Sequence, residues 1–290
     1  MSIAVTGATG QLGRLVVEDL LRRGVAAPDI IATGRSADRL AELAERGVQV
    51  RQADFTDATG LTEAFKGARK VLLVSTTTVS ERFDNHARAI DAAARAGAEL
   101  IAYTSTLNAH TASMILADAH AKTERYLRDS GVPAVVLRNG WYLENYTSQI
   151  PLYLRSGVVP GSAGAGRVSA ASRRDYAEAA ATVLTTEGHA GSVYELGGDT
   201  AFSLAELATA LSAATGQEVV YGDLPAERFR DALLDAGLPA ELAEVLADSD
   251  LGLKRGELFT DSSDLSRLIG RPTTTLTDAL TDALTGDLGS

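Results

Sequence analysis

The chain has 290 residues, a formal net charge of −11, a pI near 4.9 and no cysteine. The hydrophobic share of 45% and charged share of 22% indicate a globular rather than a disordered protein, and the acidic charge argues against a nucleic-acid partner. The absence of cysteine excludes disulfides, a thiolate nucleophile and a cysteine metal site. No apolar run reaches the roughly 18 residues of a membrane span and no signal peptide is evident, so we expect a soluble, cytoplasmic protein without membrane contact.

Strands and helices alternate along the first 140 residues. The predicted strands are Ile3–Thr6, Ile30–Thr33, Val48–Arg51, Val71–Val74, Leu100–Tyr103 and Ala134–Leu137. The predicted helices are one with Leu12, Leu15, Val16 and Leu20 on one face, Ala37–Glu45 closed by Gly47, Leu61–Phe65, one with a stripe of Phe83, Ala87, Ile90 and Ala94, and Ala119–Arg128. This alternation predicts an α/β fold with a doubly wound parallel Rossmann sheet.

The pattern loosens after about residue 150. Glycine and proline punctuate residues 157–166, which we expect to form a loop-rich stretch. Further elements are expected as a helix around Asp175–Leu184, a strand at Val193–Leu196, a helix begun by a capping box of Ser203 and Glu206, a strand at Val219–Tyr221, and helices within 225–247. The predicted division is a Rossmann domain over 1–150 with a returning segment at about 168–200. A smaller mixed α/β lobe takes 151–167 and 201–290.

A glycine-rich turn, Gly7-Ala8-Thr9-Gly10-Gln11-Leu12-Gly13, follows the first strand and opens the first helix. A dinucleotide pyrophosphate needs close approach to the backbone, and a helix N-terminus offers free N–H groups with partial positive charge. The spacing is G-x-x-G-x-x-G, and a plain tight turn is the alternative. Its place between strand and helix favours dinucleotide binding, with Gly7, Thr9, Gly10, Gln11, Leu12 and Gly13 as contacts.

The end of the second strand carries Arg35 where NAD-binding proteins place an acid. A guanidinium can pair with the 2′-phosphate of NADP(H), so the sequence predicts that cofactor, although a solvated surface arginine is the alternative. Asp54 and Phe55 follow the third strand and would flank the adenine, unless Asp54 merely caps a helix. Three polar residues at the end of the fourth strand should line the cofactor, because ligands sit at the carboxyl ends of the strands: Ser75, Thr76 and Thr77.

These residues carry a family resemblance. The segments are the turn at 7–13, Arg35, Ile101–Ser105, Leu137–Tyr142, Tyr194–Gly198 and Leu268–Thr274. They resemble the NmrA-like branch of the atypical short-chain dehydrogenase/reductases, and within it the NADPH-dependent quinone oxidoreductases of type 2, with triphenylmethane reductases as near relatives. The resemblance runs the whole length and implies an NADP(H)-dependent oxidoreductase.

Ordinary short-chain dehydrogenases use Tyr-x-x-x-Lys on the helix after the fifth strand. Here Lys122 stands at the lysine place, but Asp118 stands where the tyrosine belongs. This departure argues against alcohol–ketone chemistry, because an alkoxide needs a positioned acid. A hydroquinone anion is phenol-like, with a pKa near that of tyrosine at about 10, so solvent can protonate it. We therefore expect a quinone-like acceptor and no dedicated acid, with Lys122 and Tyr142 as the catalytic candidates.

The segment after the sixth strand matches the resembling reductases, in which it lies along the nicotinamide. The resemblance implies that Asn139 and Gly140 contact the cofactor, while Trp141, Tyr142 and Asn145 contact the substrate. Trp141 and Tyr142 could offer flat surfaces to a quinone. The alternative is that Trp141 is a core residue between the two lobes.

Histidine is the usual acid–base candidate, so all four histidines are considered. His86 and His189 are expected at the surface, His120 in a hydrogen-bonding role, and His110 within reach of the substrate. No histidine pair has metal-ligand spacing, and no metal is expected. The carboxylates of Asp248, Asp250, Asp261 and Asp264 are expected to be solvated helix ends.

Two functions from different classes remain open. The first is an NADPH-dependent reductase of quinones, or of triphenylmethane-type dyes. The second is a redox-sensing regulator that binds NADP without turnover, because the NmrA-like branch contains such proteins. A small molecule is the expected partner, and a homodimer is an open possibility.

Overall fold

The computed structural model describes residues 2–36 and 38–286. Seven strands of this part form one sheet in the order β3-β2-β1-β4-β5-β6-β8, and the four pairs from β3 to β5 are parallel. The strands are β1 Ile3–Val5, β2 Ile30–Gly34, β3 Gln49–Gln52, β4 Lys70–Leu73, β5 Leu100–Thr106, β6 Ala134–Asn139, β7 Val158–Gly161, β8 Val193–Leu196 and β9 Val220–Asp223. The predicted α/β class with a parallel, doubly wound sheet is confirmed.

Helices connect most of these strands. They are α1 Gln11–Arg22, α2 Ala41–Glu45, α3 Ala58–Phe65, α4 Arg82–Arg95, α5 Ile115–Asp129, α6 Glu144–Thr147, α7 Ile150–Ser156, α8 Arg173–Thr185, α9 Leu204–Thr215, α10 Ala226–Asp235, α11 Ala240–Lys254, α12 Asp264–Ile269 and α13 Leu276–Thr285. No helix in the described ranges is both long and apolar enough to cross a membrane.

The strand order places β1 in the interior of the sheet, next to the central strand β4. Its three residues are fully buried and pair with β2 on one side and β4 on the other. The chain leaves β1 toward β2 and β3, and later returns on the other side through β4 and β5. In such sheets the ligand binds outside the carboxyl ends of the strands, at the point where the winding reverses. That point lies between β1 and β4.

The chain consists of two compact units. Unit 1 consists of Met1–Thr106, Ala119–Arg138 and Arg173–Tyr194, and unit 2 of Leu107–Asp118, Asn139–Ser172 and Glu195–Ser290. These bounds differ from the predicted ones, because unit 2 already begins with the loop after β5 and takes the segment after β6. Each unit has an apolar core of its own, the first around Phe65, Ile90 and Tyr103 and the second around Leu143, Val159 and Leu253.

Most predicted elements occur with shifted ends, and the capping box of Ser203 and Glu206 is confirmed. The predicted helix Ala37–Glu45 is a short 3₁₀ turn, Asp38–Leu40, followed by α2; Ala37 itself lies outside the described residues. Gly47 closes this segment with a φ of +84°, as expected for a left-handed helix end.

Two sequence predictions are wrong in detail. The stretch 157–166, predicted as loop, contains β7, which pairs in parallel with β9 as a separate two-stranded sheet. The proline and glycines in and beside β7 are untypical of strand residues, so they favour a loop. The strand is also too short to show a clear alternation of apolar and polar residues. On α4, Ala94 of the predicted apolar stripe is exposed, whereas Asn85 and His86 are buried.

Candidate functional site

The glycine-rich turn lies at the carboxyl end of β1 and is tied to the next strand. Gly7 has a left-handed backbone with φ +62°, the N–H of Ala8 donates to Thr33 O at 2.9 Å, and the N–H of Gly10 donates to Gly7 O at 2.8 Å. Gly10 is the N-cap of α1. No described side chain caps this helix, and its first turn carries no acid. The helix start therefore keeps N–H groups and partial positive charge available to an anion.

The three glycines of the turn have different roles. A Cβ on Gly13 would overlap the carbonyl oxygen of Gly7, so this glycine allows the helix to pack against its own turn. Gly10 is exposed, has an extended backbone, and a Cβ there would lie 3.3 Å from Gly7 O. Gly10 therefore keeps the surface of the turn bare rather than filling a packed site. The sequence predicts that the first two glycines leave room for a pyrophosphate and that the third packs the helix, and the positions of Gly10 and Gly13 are compatible with this prediction.

Two arginines lie beside the turn. Arg35 is exposed in the bend that follows β2, and its carbonyl accepts a hydrogen bond from Gln52 Nε2 at 3.0 Å. Arg39, on the 3₁₀ turn, donates from Nη2 to Thr9 O at 3.2 Å. Sequence reasoning singled out Arg35 and missed Arg39, although a second arginine four residues on is visible in the sequence. Both guanidinium groups are suited to bind a phosphate next to the turn.

Asp54 and Phe55 follow β3, and the sequence leaves open whether Asp54 flanks the adenine or caps a helix. Asp54 accepts hydrogen bonds from the N–H and the hydroxyl of Thr56, which hold its pKa below the usual value together with the nearby charge of Arg35. The N-cap of α3 is Asp57, not Asp54, so the capping alternative for Asp54 is wrong. Phe55 is half-buried and packs against the core of unit 1.

The chain leaving β4 is held by side chains from three other elements. The N–H of Val74 donates to Thr6 Oγ1 and that of Ser75 to Thr104 Oγ1, both at 2.9 Å, while the N–H of Thr76 donates to His86 Nε2 at 3.0 Å. This places two of the predicted cofactor residues, Ser75 and Thr76, in a fixed backbone at the winding point of the sheet. Thr77 follows them and is exposed.

His86 and His120 belong to a buried polar network between α4, β5 and α5. Tyr103 Oη lies 2.6 Å from His120 Nδ1 and 3.2 Å from His86 Nδ1, and Thr123 Oγ1 lies 3.0 Å from His86 Nδ1. Burial, aided by the charge of Arg82, lowers the pKa of His86 to about 3 and that of His120 well below its ordinary value. Both rings are therefore neutral near pH 7. The predicted surface position of His86 is wrong, whereas the hydrogen-bonding role of His120 is confirmed.

Asp118 and Lys122, which stand at the tyrosine and lysine places of the Tyr-x-x-x-Lys motif, lie on the exposed face of helix α5. His120, Thr123 and Glu124 occupy the buried face. Glu124 accepts from Ser105 Oγ at 2.5 Å and forms an ion pair with Arg138 at 2.7 Å. The polar side chains on the buried face of this helix thus bond to residues of α4, β5 and β6. Lys122 stays a predicted catalytic residue only.

The segment Asn139–Asn145 belongs to unit 2 and is fixed through its backbone. Gly140 N–H donates to Leu196 O at 2.7 Å, and Trp141 and Leu143 bond through their backbones to Ala171 at 3.1 and 3.0 Å. Trp141 is half-buried and packs against the core of unit 2. Asn139 is buried, and its Oδ1 has no hydrogen-bond partner among the described residues. The half-buried members of the segment include Tyr142 and Asn145.

The remaining histidines and acids differ from expectation in part. His110 is exposed. His189 is half-buried and lies 2.7 Å from both Thr186 Oγ1 and Tyr194 Oη, so it is hydrogen-bonded within the protein as well as partly solvated. Asp248 accepts from Ile115 N–H at 2.6 Å and Asp264 from Glu195 N–H at 3.1 Å. These carboxylates join separate segments of unit 2 rather than lying free in solvent. Within residues 2–36 and 38–286, no cluster of histidines and carboxylates has the arrangement of a metal site.

Asp250 is the acid with the largest departure from expectation. Its Oδ2 accepts from Ser162 N–H at 2.7 Å, but burial, together with the charge of Asp223, raises its pKa to about 6. The folded protein therefore holds this proton more tightly than the unfolded chain does. It follows that the contribution of Asp250 to stability is lost as pH rises from the unfolded value toward about 6.

Asp250→Asn should therefore stabilise the protein at pH 8 by about 1–3 kcal/mol and have little effect near pH 4. The amide oxygen can still accept from Ser162, while the buried charge is gone. Urea unfolding of both proteins across this pH range measures the difference. A constant difference at all pH values would contradict the assignment, and Asp248→Asn, which removes a carboxylate from the same helix, is the matched control.

The profile of the NmrA-like family matches residues 1–274, which is nearly the whole chain. The protein belongs to the NmrA-like family. The predicted family is confirmed.

Relatives of this NmrA-like protein include well-defined enzymes. It is 48% identical over 278 residues to Quinone oxidoreductase 2 of Escherichia coli (strain K12), covering 96% of this chain and 97% of that protein. The crystal structure of the NADPH-dependent quinone oxidoreductase of Escherichia coli complexed with NADPH aligns with a TM-score of 0.94 and 48% identity, covering 97% of this chain and 99% of that one. Triphenylmethane reductase of Citrobacter sp. complexed with NADP(H) aligns with a TM-score of 0.91 and 36% identity, covering 98% of this chain and 100% of that one.

Proposed function

We propose that this NmrA-like protein is an NADPH-dependent oxidoreductase that transfers hydride to a quinone or a similar planar, conjugated acceptor. The observation that carries the proposal is the 48% identity, over nearly the full length of both chains, to a quinone oxidoreductase. The glycine-rich turn supports it independently, because it has the features that a dinucleotide phosphate requires.

The described residues fit NADP(H). The uncapped start of α1 and the bare surface at Gly10 would receive the pyrophosphate, and the guanidinium groups of Arg35 and Arg39 would receive the 2′-phosphate. The buried, unpartnered Oδ1 of Asn139 can accept a hydrogen bond from an amide such as that of nicotinamide. When bound, NADPH supplies the hydride.

The chain's own contribution is to position the acceptor and exclude competing reactions. Trp141 and Tyr142 would present flat, half-buried surfaces to a planar ring. The hydroquinone anion has a pKa near that of a phenol, about 10, so solvent can protonate it and no side chain need act as the acid. The exposed Asp118 at the place of the tyrosine agrees with this view.

The deciding experiment is an NADPH oxidation assay with a panel of quinones and triphenylmethane dyes. Turnover with quinones supports the proposal, and turnover with dyes alone would move the substrate class to the dye reductases. Tight NADPH binding with no turnover of any acceptor would favour the redox-sensing regulator instead.

If solvent protonates the product, no side chain of α5 should be indispensable. Asp118→Asn and His120→Ala should each keep kcat within about tenfold of the parent, because a true general acid contributes roughly 10²–10⁴-fold. Lys122→Ala should raise the KM for NADPH before it lowers kcat. Steady-state kinetics on each folded variant measure this.

His110→Ala is the companion variant, because His110 is exposed and was predicted to reach the substrate. A thousandfold loss of kcat at His110 or His120, with NADPH affinity intact, would show that the enzyme uses a dedicated acid. Carbonyl-type chemistry would then replace the quinone mechanism.

The proposal includes a cytoplasmic location and allows a homodimer, both of which rest on the sequence. Cell fractionation tests the location, and light scattering at several protein concentrations tests the oligomeric state.

A further inference from the structure

Thr76, in the segment that follows β4, is held at both ends of its backbone by one helix. Its N–H donates to His86 Nε2 and its carbonyl accepts from Arg82 Nε, both at 3.0 Å. Arg82 and His86 are one turn apart on α4 and are 7% and 0% exposed. The backbone N–H and C=O of Thr76 thus bond to two buried side chains instead of to a neighbouring strand. We call Arg82 and His86 the Thr76 clamp.

The hydrogen bond from Thr76 requires that His86 Nε2 carries no proton, and the neighbours of His86 favour this state. Because Nε2 accepts from Thr76, the proton of the neutral ring is on Nδ1. Thr123 Oγ1 donates to Ala119 O at 2.8 Å and so accepts from His86 Nδ1 at 3.0 Å. Burial and the Arg82 charge keep the pKa of His86 far below 7. The acceptor nitrogen therefore stays available over the working pH range.

The side chain of Thr76 is the exception in this well-bonded segment. Its Oγ1 is buried, and no described residue offers it a hydrogen bond. A buried hydroxyl without a partner is unfavourable, so this group requires a hydrogen-bond partner that the described residues do not supply. Thr76 lies where β4 ends beside β1, the place where the winding of the sheet reverses and a dinucleotide is expected.

We propose that Arg82 and His86 are positioning residues that fix the Thr76 backbone so that Thr76 Oγ1 hydrogen-bonds to bound NADPH. This inference rests on the proposed function only for the identity of the ligand. It goes beyond the predicted cofactor contact at Thr76, because it assigns that contact to the Thr76 hydroxyl and adds two residues that act through it and do not touch the cofactor themselves.

The test compares NADPH dissociation constants of four variants by fluorescence titration. Thr76→Val keeps the shape and removes the hydroxyl, and we expect binding to weaken about tenfold. His86→Leu should weaken it to a similar or larger extent, and His86→Gln, whose amide oxygen can accept from Thr76, should restore binding to within about threefold of the parent. His120→Leu is the matched control, because His120 is also a buried histidine of the same network and does not touch Thr76.

A double variant distinguishes a positioning role of His86 from a general loss of structure. Because both residues act through one contact, the double variant Thr76→Val/His86→Leu should bind no more weakly than His86→Leu alone. The effect should appear in the KM for NADPH more than in kcat. If His86→Leu does not fold, Thr76→Val and His86→Gln still decide the matter.

Parent-like affinity in Thr76→Val, or equal weakening by His86→Leu and His120→Leu, would overturn the proposal. Failure of the proposed function is a different result, since it would appear as a parent protein that binds NADPH but reduces no acceptor. In that case the binding comparison still tests the Thr76 clamp.

Discussion

Gly10→Val should give a folded protein that no longer binds NADPH measurably. The extended backbone of Gly10 suits a branched residue, and the site is exposed, so the fold should tolerate the change. The added methyl groups would occupy the surface that the pyrophosphate must approach, and they would block the helix N–H groups. Circular dichroism and thermal unfolding test the fold, and a fluorescence titration tests NADPH binding over at least a hundredfold concentration range.

Gly13→Ala is the control with the opposite expectation. Its Cβ would overlap Gly7 O in the same turn, so we expect loss of stability as well as loss of binding. If folded Gly10→Val binds NADPH as the parent does, the turn is not the phosphate site. If Gly10→Val unfolds like Gly13→Ala, the two glycines do not have the separate roles assigned to them.

Removal of the two guanidinium groups beside the turn should abolish the preference for NADPH over NADH. A charged hydrogen bond contributes about 1.5–3 kcal/mol, so Arg35→Ala should weaken NADPH binding about ten- to a hundredfold. Arg39→Ala should have a smaller effect, because Arg39 is also bonded to Thr9 O. The double variant should bind both cofactors almost equally, and NADH affinity should hardly change.

The matched control for these variants is Arg69→Ala. Arg69 is an exposed arginine that pairs with Glu99 just before β4, at the opposite edge of the sheet. Its loss should leave both dissociation constants unchanged. Equal affinity of the parent for NADPH and NADH would refute the role of Arg35, and a large effect at Arg39 alone would transfer that role to Arg39.

The sequence is most informative where a short motif is compatible with few local structures. A glycine-rich turn between a buried strand and an amphipathic helix is typical of few functions, so the sequence alone predicts dinucleotide binding at Gly10 and Gly13. The sheet followed from the alternation of apolar strands and helical segments, and the capping box of Ser203 and Glu206 from its three-residue spacing. Each of these features depends on residues that are close in the chain.

The remainder depended on contacts between distant segments. His86 looked like a surface residue because helix periodicity counts only apolar side chains, whereas its neighbours Thr76, Tyr103 and Thr123 satisfy it in the interior. Asp250 looked solvated for the same reason, although Ser162 N–H binds its carboxyl group. Polar groups can be buried when partners arrive from other elements, and a single sequence does not show those partners.

Trp141 gives the protein an intrinsic optical label. It is the chain's single tryptophan, and it packs half-buried against the core of unit 2, at the start of the segment expected to face the acceptor. Emission excited at the red edge of the indole band, where tyrosine absorbs little, therefore comes from one known position. A wavelength shift or quenching on addition of a colourless ligand would report on this segment alone, without a dye or an introduced residue.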